Sequence, residues 1–94
     1  MTISEVATLT WQWVETMGWH QKTPLESLAL IASEVGEAVN ECRHETPSPK
    51  LGEELADIIL RTLDLAHELD IPIEAMIEQK MRLNRCRGTR GRAK

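Results

Sequence analysis

Four carboxylates in two short repeats are the residues of this 94-residue sequence best suited to chemistry. Glu34 and Glu37 stand in E-x-x-E spacing, Glu54 and Asp57 in E-x-x-D spacing, and a Pro-containing stretch, ETPSP at 45–49, lies between them. Residues three apart on a helix project to the same side, with Cβ atoms about 5–6 Å apart, so each pair offers two carboxylates to one partner. If the two segments pack as a helical hairpin, the pairs meet in an all-oxygen donor set. Such a set suits a hard divalent cation, Mg²⁺ or Mn²⁺, and Mg²⁺ is held by a few carboxylates together with waters and phosphate oxygens. The spacing is not that of a calcium-binding EF-hand loop.

Acids on the outer face of a helix are usually no more than a solvated surface. Three features argue for more. No Lys or Arg lies between Pro24 and Cys42, so the acids of this stretch have no local partner. Like charges at i, i+3 and i+4 destabilise a lone helix by a few tenths of a kcal/mol per pair. The second segment repeats the arrangement, and Gly36 sits inside the first pair, at a cost of about 1 kcal/mol relative to Ala in a helix. A glycine there predicts a close neighbour or ligand. Glu41 and Glu53 are near enough in sequence to join or support the set, and Arg61 is placed to balance charge among Glu54, Asp57 and Asp64.

The elements that must carry these residues read as helices throughout. Thr2 and Glu5 form a capping box ahead of Val6, Leu9, Trp13 and Met17, and Gly18 ends this first helix. Trp11 and Trp13 cannot share a face, so one of them looks away from the domain's own core. Thr23, Pro24 and Glu26 mark the start of a second helix predicted to run to about His44. Its apolar seam is Leu28, Ala32, Val35, Val39 and Cys42, and Glu34, Glu37 and Glu41 fall on the far side from it. Ser48 and Pro49 predict the opening of a third helix reaching Leu69, and Pro72 that of a fourth with Gly88 past its end. No segment alternates with period two. The predicted fold is an all-α four-helix bundle in one domain over residues 1–87, with a basic tail at 88–94.

Composition narrows the partners. Net charge is −4, yet six of the eleven basic residues lie in the last thirteen positions, leaving an acidic body. Such a body repels a polyanion unless metal ions intervene, which makes nucleic acid an unfavoured partner. Cys42 and Cys86 form no C-x-x-C and are expected to be free and buried, without zinc. The N-terminus has no basic and apolar leader pattern and no span is long enough for a membrane, so a cytoplasmic protein is predicted. A chain this short has a thin stability margin, and a homo-oligomer, dimer or tetramer, is expected.

These motifs carry a family resemblance. E-V-G-E at 34–37 followed by E-E-L-A-D at 53–57 resembles the signature of the MazG-like all-α nucleoside triphosphate pyrophosphohydrolases. K-M-R-L-N-R at 80–85 is similar to the K-x-x-x-N segment of that family's last helix, and Trp19-His20-Gln21 resembles the nucleobase-side loop of its dCTP pyrophosphatase branch. Where relatives often carry an aromatic after the E-x-x-E helix, this chain has Cys42-Arg43-His44. The resemblance covers roughly residues 19–87. It implies hydrolysis of a nucleoside triphosphate between the α and β phosphates, with Glu34, Glu37, Glu54 and Asp57 as metal ligands. It further implies Glu37 and Lys80 as catalytic residues, and Trp19, His20, Lys80, Asn84 and Arg87 as contacts to the nucleotide. The contrasting reading is a non-catalytic helical interaction or regulatory module that retains a nucleotide or metal site.

Overall fold

The computed structural model describes residues 1–88; the remainder of the predicted basic tail lies outside the described residues. Four helices follow in order: α1 (Ile3–Thr16), α2 (Pro24–Asn40), α3 (Leu51–Glu68) and α4 (Ile73–Arg87), with no strand among the described residues. Each begins or ends for local reasons. Thr2 and Thr23 each accept from the backbone N–H three residues on, while Glu5 and Glu26 reach back to the cap N–H, completing two capping boxes. Gly18, at φ +73°, closes α1 in a Schellman turn: its N–H donates to the Glu15 carbonyl and that of Trp19 to the Val14 carbonyl. Asp70, at φ 56°, performs the same turn after α3, with Ile71 N–H donating to the Ala66 carbonyl at 2.8 Å.

Two boundaries differ from the sequence reading. The helix predicted to reach His44 ends at Asn40, because Cys42 and Arg43 bond three residues back and Ser48 N–H donates to the Glu41 carbonyl at 2.8 Å, folding the loop onto the helix end. The third helix starts at Leu51, not Pro49. Ser48 forms a turn instead: its Oγ accepts from Lys50 N–H at 3.2 Å and its carbonyl from Leu51 N–H at 3.0 Å.

Helix α3 is the hub, touching α1, α2 and α4; α2 packs on α3 alone, and α4 does not touch α2. The buried residues among those described are Ala7 of α1, Ala38 of α2, and Leu63 and Ala66 of α3, so the interior is small. On α2 and its C-cap the residues turned inward are Ser27, Ile31, Glu34, Ala38 and Glu41, at alternating four- and three-residue spacing. The side of α2 that bears Glu34 is thus the side that meets α3. The seam of Leu28, Ala32, Val35, Val39 and Cys42 consequently lies on the outside, with Val39 64% exposed. Leu55 and Ile59 of α3 and Leu9 and Trp13 of α1 are likewise exposed, and Trp13 is the outward member of its pair. Both cysteines are free but exposed rather than buried, Cys42 because it follows the shortened α2 and Cys86 because α4 buries no residue. No helix among the described residues is long and apolar enough to cross a membrane.

Candidate metal centre

Because the inward faces of α2 and α3 carry the acids, packing the hairpin brings two helices' carboxylates together. Glu34, Glu54 and Asp57 each place an oxygen within 4.8 Å of the others. Glu34 Oε1 accepts from Arg61 Nε at 3.0 Å, which ties the two helices across the site. The other oxygen of Glu34, Oε2, is buried with no hydrogen-bond partner, and so is Oε2 of Glu54. A buried acceptor without a donor costs about 1–3 kcal/mol, more when charged, so these two atoms call for a cation or a proton. Partial burial pushes the Glu54 carboxyl above the ordinary range, and contact with Glu37 and the nearby Glu34 and Asp57 charges push the same way. Glu37, the fourth acid of the pattern, is exposed and stands beside Glu54 rather than within the trio. Glu41 and Glu53 do not join the group. The donor chemistry, oxygen only and short of positive charge, fits a hard divalent cation. The glycine between Glu34 and Glu37 has no close neighbour: a Cβ on Gly36 would meet nothing within 4 Å.

A second acidic group, which the sequence reading did not assemble, lies further along the same face of α3. His20 Nε2 is 2.8 Å from Asp64 Oδ1, and Nδ1 is 2.8 Å from Glu15 Oε1 and 3.3 Å from Glu68 Oε2. The His20 ring stacks on Trp11 at a centroid distance of 5.1 Å, and Trp11 Nε1 donates to Glu68 Oε2 at 2.8 Å. Burial alone lowers the His20 pKa, but hydrogen bonds to Glu15 and Asp64 and the charges of Asp64 and Glu68 outweigh it, and the net shift is upward. Its one advance signal was Asp64 and Glu68 at i, i+4 on α3; the partner histidine comes from a loop over forty residues away, at position 20.

Beside the His20 group the helices leave open space. A cavity of about 210 Å³ is bordered by His20, Lys22, Ser27, Asp64, Leu65 and Glu68. A smaller cleft shares Lys22, Ser27 and Asp64 with it and is also lined by Leu30 and by Arg61, the partner of Glu34. Trp19 is exposed, and its carbonyl accepts from Lys22 Nζ at 2.7 Å. Lys80, Asn84 and Arg87 are exposed on α4; within one chain that helix does not reach α2.

The hairpin gathers carboxylates from two helices beside a cleft lined by Lys22, Arg61 and polar side chains, which places the chain in a class of all-α proteins with an acidic interhelical cluster. The family is specific. The model of the MazG nucleotide pyrophosphohydrolase domain matches residues 22–87, most of the chain, and this protein belongs to that family. No curated protein and no solved structure matches the chain.

Proposed function

We propose that this protein hydrolyses (deoxy)nucleoside triphosphates between the α and β phosphates, releasing a nucleoside monophosphate and pyrophosphate in the cytoplasmic nucleotide pool. The metal is Mg²⁺, with Mn²⁺ as an alternative, held by Glu34, Glu37, Glu54 and Asp57. The observation that carries this reading is the pair of buried, unpartnered oxygens on Glu34 and Glu54, in a chain of the MazG family. When bound, divalent cations neutralise the triphosphate and lower the pKa of a coordinated water. The chain's own residues do the remaining work. Glu37, exposed beside Glu54, orients the attacking water and accepts its proton. Lys80 meets the phosphates, with Asn84 and Arg87 beside it. Trp19 and His20 border the nucleoside end, and His20, whose two ring nitrogens are already occupied by carboxylates, shapes the wall rather than offering a free nitrogen.

Because α4 and α2 do not touch within one chain, Lys80 and Asn84 approach the acids through assembly of a homo-oligomer. The exposed apolar seam of Leu28, Val35 and Val39, with Leu55 and Ile59, is the surface such a dimer or tetramer covers.

Product analysis tests the reaction. Equal amounts of monophosphate and pyrophosphate from a panel of nucleotides with Mg²⁺, abolished by EDTA, are the expected result. Diphosphate with orthophosphate would reject the bond assignment. Metal-dependent stabilisation without turnover would favour the interaction module.

A further inference from the structure

Arg61 is the base that the described residues place against the acid trio, and its hydrogen-bonding capacity is only partly used. Its Nε donates to Glu34 Oε1 at 3.0 Å, the single hydrogen bond its side chain makes among the described residues. A guanidinium has five N–H donors in a planar fork, so the donors on both Nη atoms are left over. The side chain is 42% exposed, which leaves those donors open to a ligand. Pairing through Nε also fixes the guanidinium plane, leaving its flat Nη edge suited to two oxygens of one phosphate.

Position supports the same use. Arg61 follows Asp57 by one helical turn, a rise of about 6 Å, on the face that carries Glu54 and Asp57. Neighbouring phosphates of one polyphosphate chain fall within that reach. On its other side Arg61 lines the cleft shared with Lys22 and Ser27, so a second cation stands along the same path. Lys80, by contrast, is on a helix that does not touch α2 in the same chain.

We infer that Arg61 is a phosphate-binding residue of this site: anchored on Glu34 through Nε, it presents its Nη groups to the triphosphate of the substrate and to the pyrophosphate product. This rests on the pyrophosphohydrolase reading above and assigns Arg61 a ligand where the sequence suggested charge balance alone. Electrostatics separates the two roles. A guanidinium beside carboxylates opposes a bare cation, yet favours a polyanion that arrives with its cation.

The test titrates full-length wild type, Arg61→Gln and Arg61→Lys by calorimetry, first with Mg²⁺ alone and then with inorganic pyrophosphate at saturating Mg²⁺. Arg61→Gln is expected to weaken pyrophosphate by about ten- to a hundredfold, the range for a lost charge-assisted hydrogen-bonding pair, while Mg²⁺ alone binds as well or more tightly. Arg61→Lys, which keeps the charge but lacks the fork, should recover part of the loss and serves as the folding control. Equal weakening of Mg²⁺ and pyrophosphate would make Arg61 a support for Glu34 and overturn the inference. Unchanged pyrophosphate binding in Arg61→Gln would overturn it as well, and the hydrolase reading would stand if that variant still turned over nucleotide. Wild-type protein that binds no pyrophosphate with Mg²⁺ would overturn the inference, while the hydrolase reading falls only if product analysis finds no monophosphate and pyrophosphate.

Discussion

Helix α3 carries two acidic clusters on one face, and they solve the same electrostatic problem differently. Around His20, the carboxylates of Glu15, Asp64 and Glu68 surround a group supplied by the chain, an imidazole whose protonated form their hydrogen bonds and charges favour. Around Glu34, Glu54 and Asp57 the described residues supply only the edge of Arg61 and leave two buried oxygens unmatched. The first cluster is closed by hydrogen bonds, with no unpartnered buried oxygen among its described carboxylates, and ties α1, the 17–23 loop and α3 together. The second leaves two buried acceptors without donors, and unsatisfied groups of that kind call for an explanation, which the proposed metal supplies. Nearness of acidic groups is thus not the informative quantity; the count of buried oxygens left without a partner is.

The contrast breaks most visibly in turnover. Glu54→Gln or Asp57→Asn should lower kcat/KM by about a hundredfold or more, exceeding the 10–100-fold typical of residues that only support metal ligands, with helical circular dichroism retained. Normal turnover in both variants would show that the trio is a solvated face. Metal stabilisation comes next in size. Mg²⁺ at about 100 times its Kd adds about 2.7 kcal/mol, read as a rise in Tm of several degrees, and Glu34→Gln should lose that rise while His20→Gln keeps it.

Without metal the sign reverses at the trio. The Glu54 carboxyl is raised above its unfolded value, so the folded state binds the proton more tightly and stability falls as pH rises through the raised value. Glu54→Gln should therefore increase the Tm of the EDTA-treated protein at neutral pH, and a decrease would show that the charge is already compensated.

His20 behaves in the complementary way. Its folded pKa is raised above 6.5, so its contribution is fully present below that value and is lost as pH rises through the folded one. The Tm deficit of His20→Gln should be larger at about pH 6 than at about pH 9. The smallest effect belongs to Glu15→Gln: this carboxylate is 55% exposed, and its removal should cost at most about 1 kcal/mol in denaturant unfolding.

Much of this architecture was legible in the residues. The capping boxes at Thr2 and Thr23, the left-handed Gly18 and the proline near Ile73 mark helices by local chemistry, and local chemistry is what a sequence displays. The opposition of acids and apolar seam on α2 was also plain. Which side would face α3 was not, because in this protomer the apolar side stays outside, against the usual expectation. The end of α2 was missed for a related reason: the Ser48 N–H to Glu41 carbonyl bond joins residues across a loop and leaves no periodic trace. Gly36 suggested a close neighbour from helix propensity alone, yet the space beside it is open. The His20 cage depends on a loop histidine meeting two separate helices, a coincidence that spacing cannot announce.

The shallow seating of α4 has a consequence for amide hydrogen exchange. Ser4 N–H donates to Glu74 Oε1 at 2.9 Å and Ile73 and Ile77 are half-buried, so the first turns are fastened to the body. From Glu78 through Gly88 every residue is exposed, so only the helix's own hydrogen bonds protect those amides. In the isolated chain they should exchange by local fraying, orders of magnitude sooner than the amides around Leu63 and Ala66, whose exchange waits for global opening. Lys80 and Asn84 ride on this segment, so on the proposed reading the onset of protection there would time-stamp the moment a second copy packs against α4.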